Sequence, residues 1–92
     1  IEFPDEQLMS EIIHVHYPDL EDELLQQVLE TFYRIRGMDG VRKKPSTSEM
    51  LDWIQALQLG GVDPERIREE IPFAGVLLKK NEDLDLLKRQ QG

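Results

Sequence analysis

Asp19-Leu20-Glu21-Asp22-Glu23-Leu24-Leu25-Gln26-Gln27-Val28-Leu29-Glu30-Thr31-Phe32-Tyr33-Arg34-Ile35-Arg36-Gly37 decides the fold class of this chain. Leu24, Leu25, Val28, Phe32 and Ile35 recur at three- and four-residue spacing, which places them on one face of an α-helix. Glu21, Asp22 and Glu23 stand at its start, and Arg34 and Arg36 at its end. Both groups complement the helix macrodipole. Asp19 is the expected N-cap and Gly37 the expected C-cap.

Working outward, the upstream segment predicts a helix from about Asp5 to His16. Leu8, Ile12 and Val15 form its expected apolar stripe, widened by Met9, Ile13 and His16. Pro4 suits a helix start, and Tyr17-Pro18 ends the pattern because a residue before proline avoids the α region. Downstream, Met38 to Lys44 reads as a loop that contains the basic triplet Arg42-Lys43-Lys44. After Pro45, Ser46-Thr47-Ser48-Glu49 has the form of a capping box. It opens a helix with Met50, Leu51, Trp53, Ile54 and Leu57, which stops at Gly60-Gly61. A short helix begins at Asp63 with Pro64 in first position, carries Ile67 and Ile71, and halts at Pro72. Phe73-Ala74-Gly75-Val76-Leu77-Leu78 fits either a helical turn or a short strand. Asn81 is the expected cap of a last helix holding Leu84, Leu86 and Leu87, with a frayed tail from Lys88 to Gly92. The expected architecture is all-α, a small bundle of four to five helices.

The 92 residues make one domain, with 11 basic against 19 acidic residues and a net charge of −8. Such a balance argues against a general nucleic-acid binder, whose affinity comes from neutralising phosphates. Without cysteine there is no disulfide framework and no zinc–thiolate site. That suits a reducing compartment, and the expected location is cytoplasmic. No apolar run reaches the roughly 20 residues of a membrane span. The chain opens Ile1-Glu2-Phe3-Pro4 with neither an initiator Met nor the basic start of a signal peptide. Ile1-Glu2-Phe3 alternates like the end of a strand, yet no partner strand is evident. The expectation is that the N-terminus is a cut.

Few residues here point to catalysis. His14 and His16, two apart on a helix, point in different directions and cannot hold one ion together; the plain expectation is one packed and one exposed histidine. No nucleophile stands with a base and an orienting group. Glu21-Asp22-Glu23 and Glu82-Asp83 read as solvated first-turn acids. No phosphate loop of the form G-x-x-x-x-G-K-[ST] is present. No catalytic residue and no metal ligand is therefore expected.

One constellation differs. Arg42, Lys43 and Lys44 precede a helix start that offers unpaired N–H groups and the hydroxyls of Ser46, Thr47 and Ser48, the elements of an anion site. The plain alternative is a solvated basic loop beside an ordinary capping box, which spacing alone favours. Trp53 falls beside the Met50/Ile54/Leu57 stripe and is expected in the core rather than stacked on a ligand.

Lys43-Lys44-Pro45-Ser46-Thr47-Ser48-Glu49-Met50-Leu51-Asp52-Trp53 resembles the third lid helix of MoxR-type AAA+ ATPases, where a lysine–proline–serine–threonine run leads into Leu-Asp-Trp. Ile1-Glu2-Phe3-Pro4-Asp5, followed by Leu8 and Ile12-Ile13, is similar to the junction between the last core strand and the first lid helix. His16-Tyr17-Pro18 resembles the end of that helix, and Ile71-Pro72-Phe73-Ala74-Gly75-Val76-Leu77-Leu78-Lys79-Lys80 the closing segment of the subgroup. The resemblance spans nearly the whole chain.

It implies that residues 1–4 are the end of the preceding core strand or a hinge and that residues 5–92 are a C-terminal helical lid. In the family the phosphate loop, metal-binding acids and arginine finger lie in the core domain, so the fragment alone would hydrolyse nothing. ATP, with Mg in the parent protein, is the implied cofactor. The implied partners are the chain's own AAA+ core, neighbouring subunits of a hexameric ring and a von Willebrand-A-domain protein. The implied work is chaperone-like remodelling or maturation. Arg42, Lys43, Lys44, Ser46, Thr47 and Ser48 are then the nucleotide-facing candidates, and Ile12, His16 and Tyr17 the adenine-side ones. Relatives carry a sensor arginine where this chain has Ser48, which cannot supply charge; Arg42 or Lys44 could substitute from the loop. The second expectation is an autonomous acidic interaction module that recruits a basic partner, with Leu77-Leu78 or part of the second helix as an apolar contact.

Overall fold

A computed structural model describes residues 3–91, with side chains as far as residue 89. Six helices follow one another: α1 Glu6–His16, α2 Asp22–Arg36, α3 Thr47–Leu59, α4 Pro64–Glu69, α5 Ala74–Leu77 and α6 Asn81–Gln91. The described residues contain no strand, so the fold is a small all-helical bundle. The count exceeds the expected four to five because the ambiguous segment after Phe73 closes as the single turn α5. Helix α6 runs through Gln91 rather than fraying from Lys88. Among the described residues no helix is long and apolar enough to cross a membrane. Ile1 and Glu2, most of the expected strand end, lie outside the described residues.

The helix boundaries follow from local chemistry. Asp5 caps α1, its carboxylate accepting the Leu8 N–H at 2.9 Å. Helix α2 starts later than Asp19 allows. The Leu20 N–H donates to the Tyr17 carbonyl at 3.2 Å, and the turn this closes buries Leu20. Glu21 becomes the N-cap, without a side-chain hydrogen bond. At α3 both halves of the capping box form: Glu49 N–H to Ser46 Oγ at 3.2 Å, and Ser46 N–H to Glu49 Oε1 at 2.9 Å. Its far end is a Schellman motif, with Val62 N–H on the Leu57 carbonyl (3.1 Å) and Gly61 N–H on that of Gln58 (3.2 Å). Gly61 sits at φ 61°, a conformation glycine adopts without a Cβ penalty. Asn81 does not cap α6. The Lys80 carbonyl accepts from Asp83 and Leu84, so the cap position falls on Lys80.

Met9 and Ile13 of α1, Leu24, Leu25, Val28, Leu29, Phe32 and Ile35 of α2, and Met50, Trp53, Ile54 and Leu57 of α3 make the core, closed by Ile67, Ile71, Leu77, Leu78 and Leu87. Trp53 is a core residue, as expected, fully buried with its indole N–H on the Pro72 carbonyl at 2.7 Å. That bond ties the segment after α4 to the middle of α3.

Helix α1 departs from its expected orientation. Met9 and Ile13 are its buried residues, whereas Leu8 and Val15 of the expected stripe are exposed and Ile12 is half-buried. Apolar residues occupy positions 8, 9, 12, 13 and 15, too wide an arc for one face to be chosen locally. Packing against α2 decides it. His14 and His16 both come out exposed, not one packed and one free: His14 points away from the Met9/Ile13 face, and His16 is the last residue of the helix. Phe3 lies on α2, its ring 5.8 Å from that of Phe32 and 6.2 Å from that of Tyr33, with the Arg36 guanidinium 3.5 Å from its centroid. The Tyr33 hydroxyl donates to the Pro4 carbonyl. Phe3 and Pro4 are thereby bound to the bundle.

Candidate functional site

The basic loop is built from three directions. From α2, Arg36 Nη1 donates to the Pro45 carbonyl at 2.6 Å, which orients the chain just before the α3 cap. The Lys44 ammonium returns to the last carbonyl of α2, that of Arg36, at 2.7 Å. A cation at a helix C-terminus is favourable on both hydrogen-bonding and dipole grounds.

The third support comes from α6. Asp83 is fully buried, and its two carboxylate oxygens accept separate backbone N–H groups: Oδ1 from Arg42 at 2.7 Å and Oδ2 from Lys43 at 3.0 Å. The expectation of a solvated first-turn acid is thus wrong for Asp83, although Glu82 is exposed. A buried carboxylate needs donors, and two consecutive amides of a loop satisfy it. Gly40, at φ 93°, lets the loop turn against α6: a Cβ there would stand 3.3 Å from Leu86 Cδ2.

These contacts separate the basic side chains. Lys44 is engaged on α2. Lys43, exposed, lies 3.9 Å from the largely buried Glu49, a long ion pair that holds its ammonium only loosely. Arg42 is exposed, and its guanidinium makes no hydrogen bond or ion pair among the described residues. Beside it, the capping box uses the Ser46 hydroxyl and the N–H groups of Ser46 and Glu49. The N–H groups of Thr47 and Ser48, in the first turn of α3, have no acceptor among the described residues. Ser48 is exposed and Thr47 half-buried. The loop therefore presents one unpaired guanidinium, one weakly paired ammonium and two open amides, a set of donors suited to an anion.

Of the adenine-side candidates, Tyr17 is joined to this helix: its hydroxyl donates to the Leu51 carbonyl at 3.0 Å, one turn beyond Ser48. Ile12 packs half-buried on the core and His16 is exposed at the end of α1. The contact that sequence reasoning missed is Asp83. Its only local signal was an acid in a first turn, the same as for many solvated acids.

Two adjoining hollows lie elsewhere, between α2 and α4. The larger, about 640 Å³, is lined by Asp22, Glu23, Gln26, Gln27, Asp63, Pro64, Glu65 and Arg68. The second, about 340 Å³, is lined by Gln27, Glu30, Thr31, Arg34 and Arg68. Neither includes a residue of the 42–48 loop. Leu77 and Leu78 are buried, so the expected apolar contact at that pair is not available. Among the described residues no group of three or more His, Cys, Asp or Glu side chains is placed to hold a metal ion. Among the described residues, Tyr33 is the one group with a clear titration shift: burial raises its hydroxyl above the ordinary 10.0, Glu6 adds to the rise, Arg36 opposes it and Asp5 contributes further. Comparison with protein-family models, with curated proteins and with solved structures gave no match.

Proposed function

We propose that this chain is the helical lid of a MoxR-type AAA+ ATPase, which closes over ATP and couples its hydrolysis to chaperone-like remodelling of a partner protein. The observation that carries the reading is the α3 entrance, where Asp83 fixes the Arg42-Lys43 backbone beside the open amides of Thr47 and Ser48. Preorganised donors lose little on meeting an anion, because their orientation is already fixed. Ser48 carries no charge, and Lys44 is engaged on the α2 terminus. Arg42 is then the side chain that supplies the positive charge a sensor position requires. The tie from Tyr17 to Leu51 supports an adenine-side role for the end of α1, since it links the two candidate groups through one helix.

In this reading the fragment itself has no catalytic residue. ATP and Mg belong to the parent, which works in the cytoplasm as a ring of subunits, a von Willebrand-A-domain protein being one candidate partner. Lid movement relative to the core would be the coupling step.

An ATP titration of the 92-residue chain, followed by amide NMR, tests the nucleotide-facing role. Arg42, Lys43, Thr47 and Ser48 are expected to shift, weakly and saturably, with Arg42→Ala abolishing the response. No shift in that segment at millimolar ATP, or an unchanged response in Arg42→Ala, would refute it. Detection of the natural polypeptide in cell extract tests the lid reading separately. A mass no greater than 10.8 kDa would remove the parent ATPase on which that reading depends.

A further inference from the structure

Helix α6 is held to the bundle differently from the other long helices. Among its described side chains only Asp83 and Leu87 are buried, with Leu84 and Leu86 half-buried. Helix α2, by contrast, buries Leu24, Leu25, Val28, Leu29, Phe32 and Ile35 on its apolar face. The apolar area that seats α6 is therefore small. One of its two buried groups is a carboxylate, and both oxygens are met by the loop, on the Arg42 and Lys43 amides. Leu86 reaches the same loop at Gly40, where a Cβ would stand 3.3 Å from its Cδ2. Among the described residues no other side-chain hydrogen bond and no ion pair joins α6 to the rest of the chain.

These bonds make docking conditional. A buried carboxylate is tolerated while its donors are in place, and once they leave it must reach water. On separation, water replaces both hydrogen bonds, so their net contribution is far below their gross strength. The helix and the loop thus satisfy each other, and neither half of the contact is stable in a dry interface without the other. Elements with few buried apolar contacts are also those that open below global unfolding.

We propose that α6 is a latch on the basic loop: α6 and residues 39–43 open and close as one unit, with Asp83 as the catch. Closed, the unit holds the Arg42 and Lys43 backbone beside the first turn of α3; open, it releases that backbone. Seating of α6 thereby regulates the anion affinity of the loop, a step that rests on the nucleotide reading. By linkage, an anion on the loop favours the seated helix to the same degree.

The test is native-state hydrogen exchange of the 92-residue chain, followed by amide NMR in urea below the unfolding transition. Residues 85–88 are expected to share one opening equilibrium with Arg42 and Lys43, with less protection than residues 28–35 of α2. Leu87→Ala should lower protection at Arg42 and Lys43 by the same factor as in α6, at least tenfold. Leu84→Ala, at a half-buried position, should give a smaller matched loss and serves if Leu87→Ala does not fold. Ile13→Val, in the α1 core, should lower protection in α2 and leave α6 and the loop unchanged. Loop amides unaffected by the α6 variants overturn the proposal. So does α6 protection equal to that of α2, or an Ile13→Val effect that extends to α6. Millimolar ATP is expected to raise α6 protection as the loop amides shift. Loop shifts with unaltered α6 protection overturn the regulatory step and leave the nucleotide reading intact. No ATP binding overturns that reading and the regulatory step together, while exchange without ATP still decides the latch.

Discussion

Asp83 holds the backbone N–H of Arg42 at 2.7 Å, across 41 residues of chain, from a position fully shielded from solvent. The same carboxylate takes the next amide, that of Lys43. A negative charge within the bundle thus determines where a positively charged loop is displayed on its surface. Fold and candidate site meet at this residue, since its two hydrogen bonds join α6 to the loop.

Asp83→Ala should therefore destabilise the protein and loosen the loop together. Two part-buried amides lose a charged acceptor, for an expected cost of about 2–3 kcal/mol. Asp83→Asn keeps one acceptor oxygen and should cost less. Urea unfolding reads the stability, and hydrogen exchange should show faster exchange at Arg42 and Lys43. If both amides keep wild-type protection in Asp83→Ala, the anchoring role is wrong.

Trp53 supports the segment after α4 through a single donor. Trp53→Phe retains an aromatic ring but leaves the Pro72 carbonyl without its 2.7 Å partner and opens a void beside it. A loss of about 2–3 kcal/mol is expected by chemical denaturation. A change within 0.5 kcal/mol, the order typical of unimportant surface sites, would mean that water replaces the indole.

Gly60 and Phe73 are coupled by shape. Gly60 ends α3 in ordinary helical geometry at φ −83°, where alanine alone would be tolerated or mildly stabilising. A Cβ there, however, would lie 3.1 Å from the Phe73 ring, and Phe73 holds its place with φ 57°. Gly60→Ala is expected to cost about 1 kcal/mol in the wild-type background and nothing, or less than nothing, in Phe73→Ala. A double-mutant cycle showing simple additivity would contradict the contact.

Tyr33 should make stability fall at alkaline pH. Its hydroxyl binds its proton more tightly when folded, so the native state retains more protons than the unfolded state above the ordinary value of 10.0. Stability contributed in this way is complete below that pH and is lost as pH rises through the raised folded value. Tyr33→Phe should lose the Pro4 hydrogen bond, about 1 kcal/mol at neutral pH, and should show a shallower alkaline decline than wild type. Parallel declines in the two proteins would remove Tyr33 as the cause. Phenolate absorbance, as a difference between the two proteins, gives an independent reading of the same titration.

How far the structure was legible in the sequence depended on the range of each interaction. The capping box at Ser46 and Glu49, the Pro64 helix start and the glycine stop after Leu59 involve partners within six residues. The chemistry of those partners suffices to place them. The core of the α2 face, Leu24, Leu25, Val28, Phe32 and Ile35, was legible from its spacing, but the buried face is wider and takes in Leu29, Gln27 and Thr31, which that stripe did not include. Where local signals were degenerate, reading failed. Asp19 and Asn81 are good capping residues displaced by neighbouring turns, and α1 carries apolar residues around too much of its circumference to select a face.

Local pattern alone makes the chain helical, places most helix starts and stops, and puts a basic loop before the α3 cap. Each of these depends on hydrogen bonds and side-chain periodicity within a few turns. Packing between helices is what turns Met9 and Ile13 rather than Leu8 and Val15 inward, and what buries Asp83 against the loop from Arg42 to Lys43. Burial and long-range pairing depend on which surfaces meet. An exposed acid and a buried one have the same neighbours in sequence.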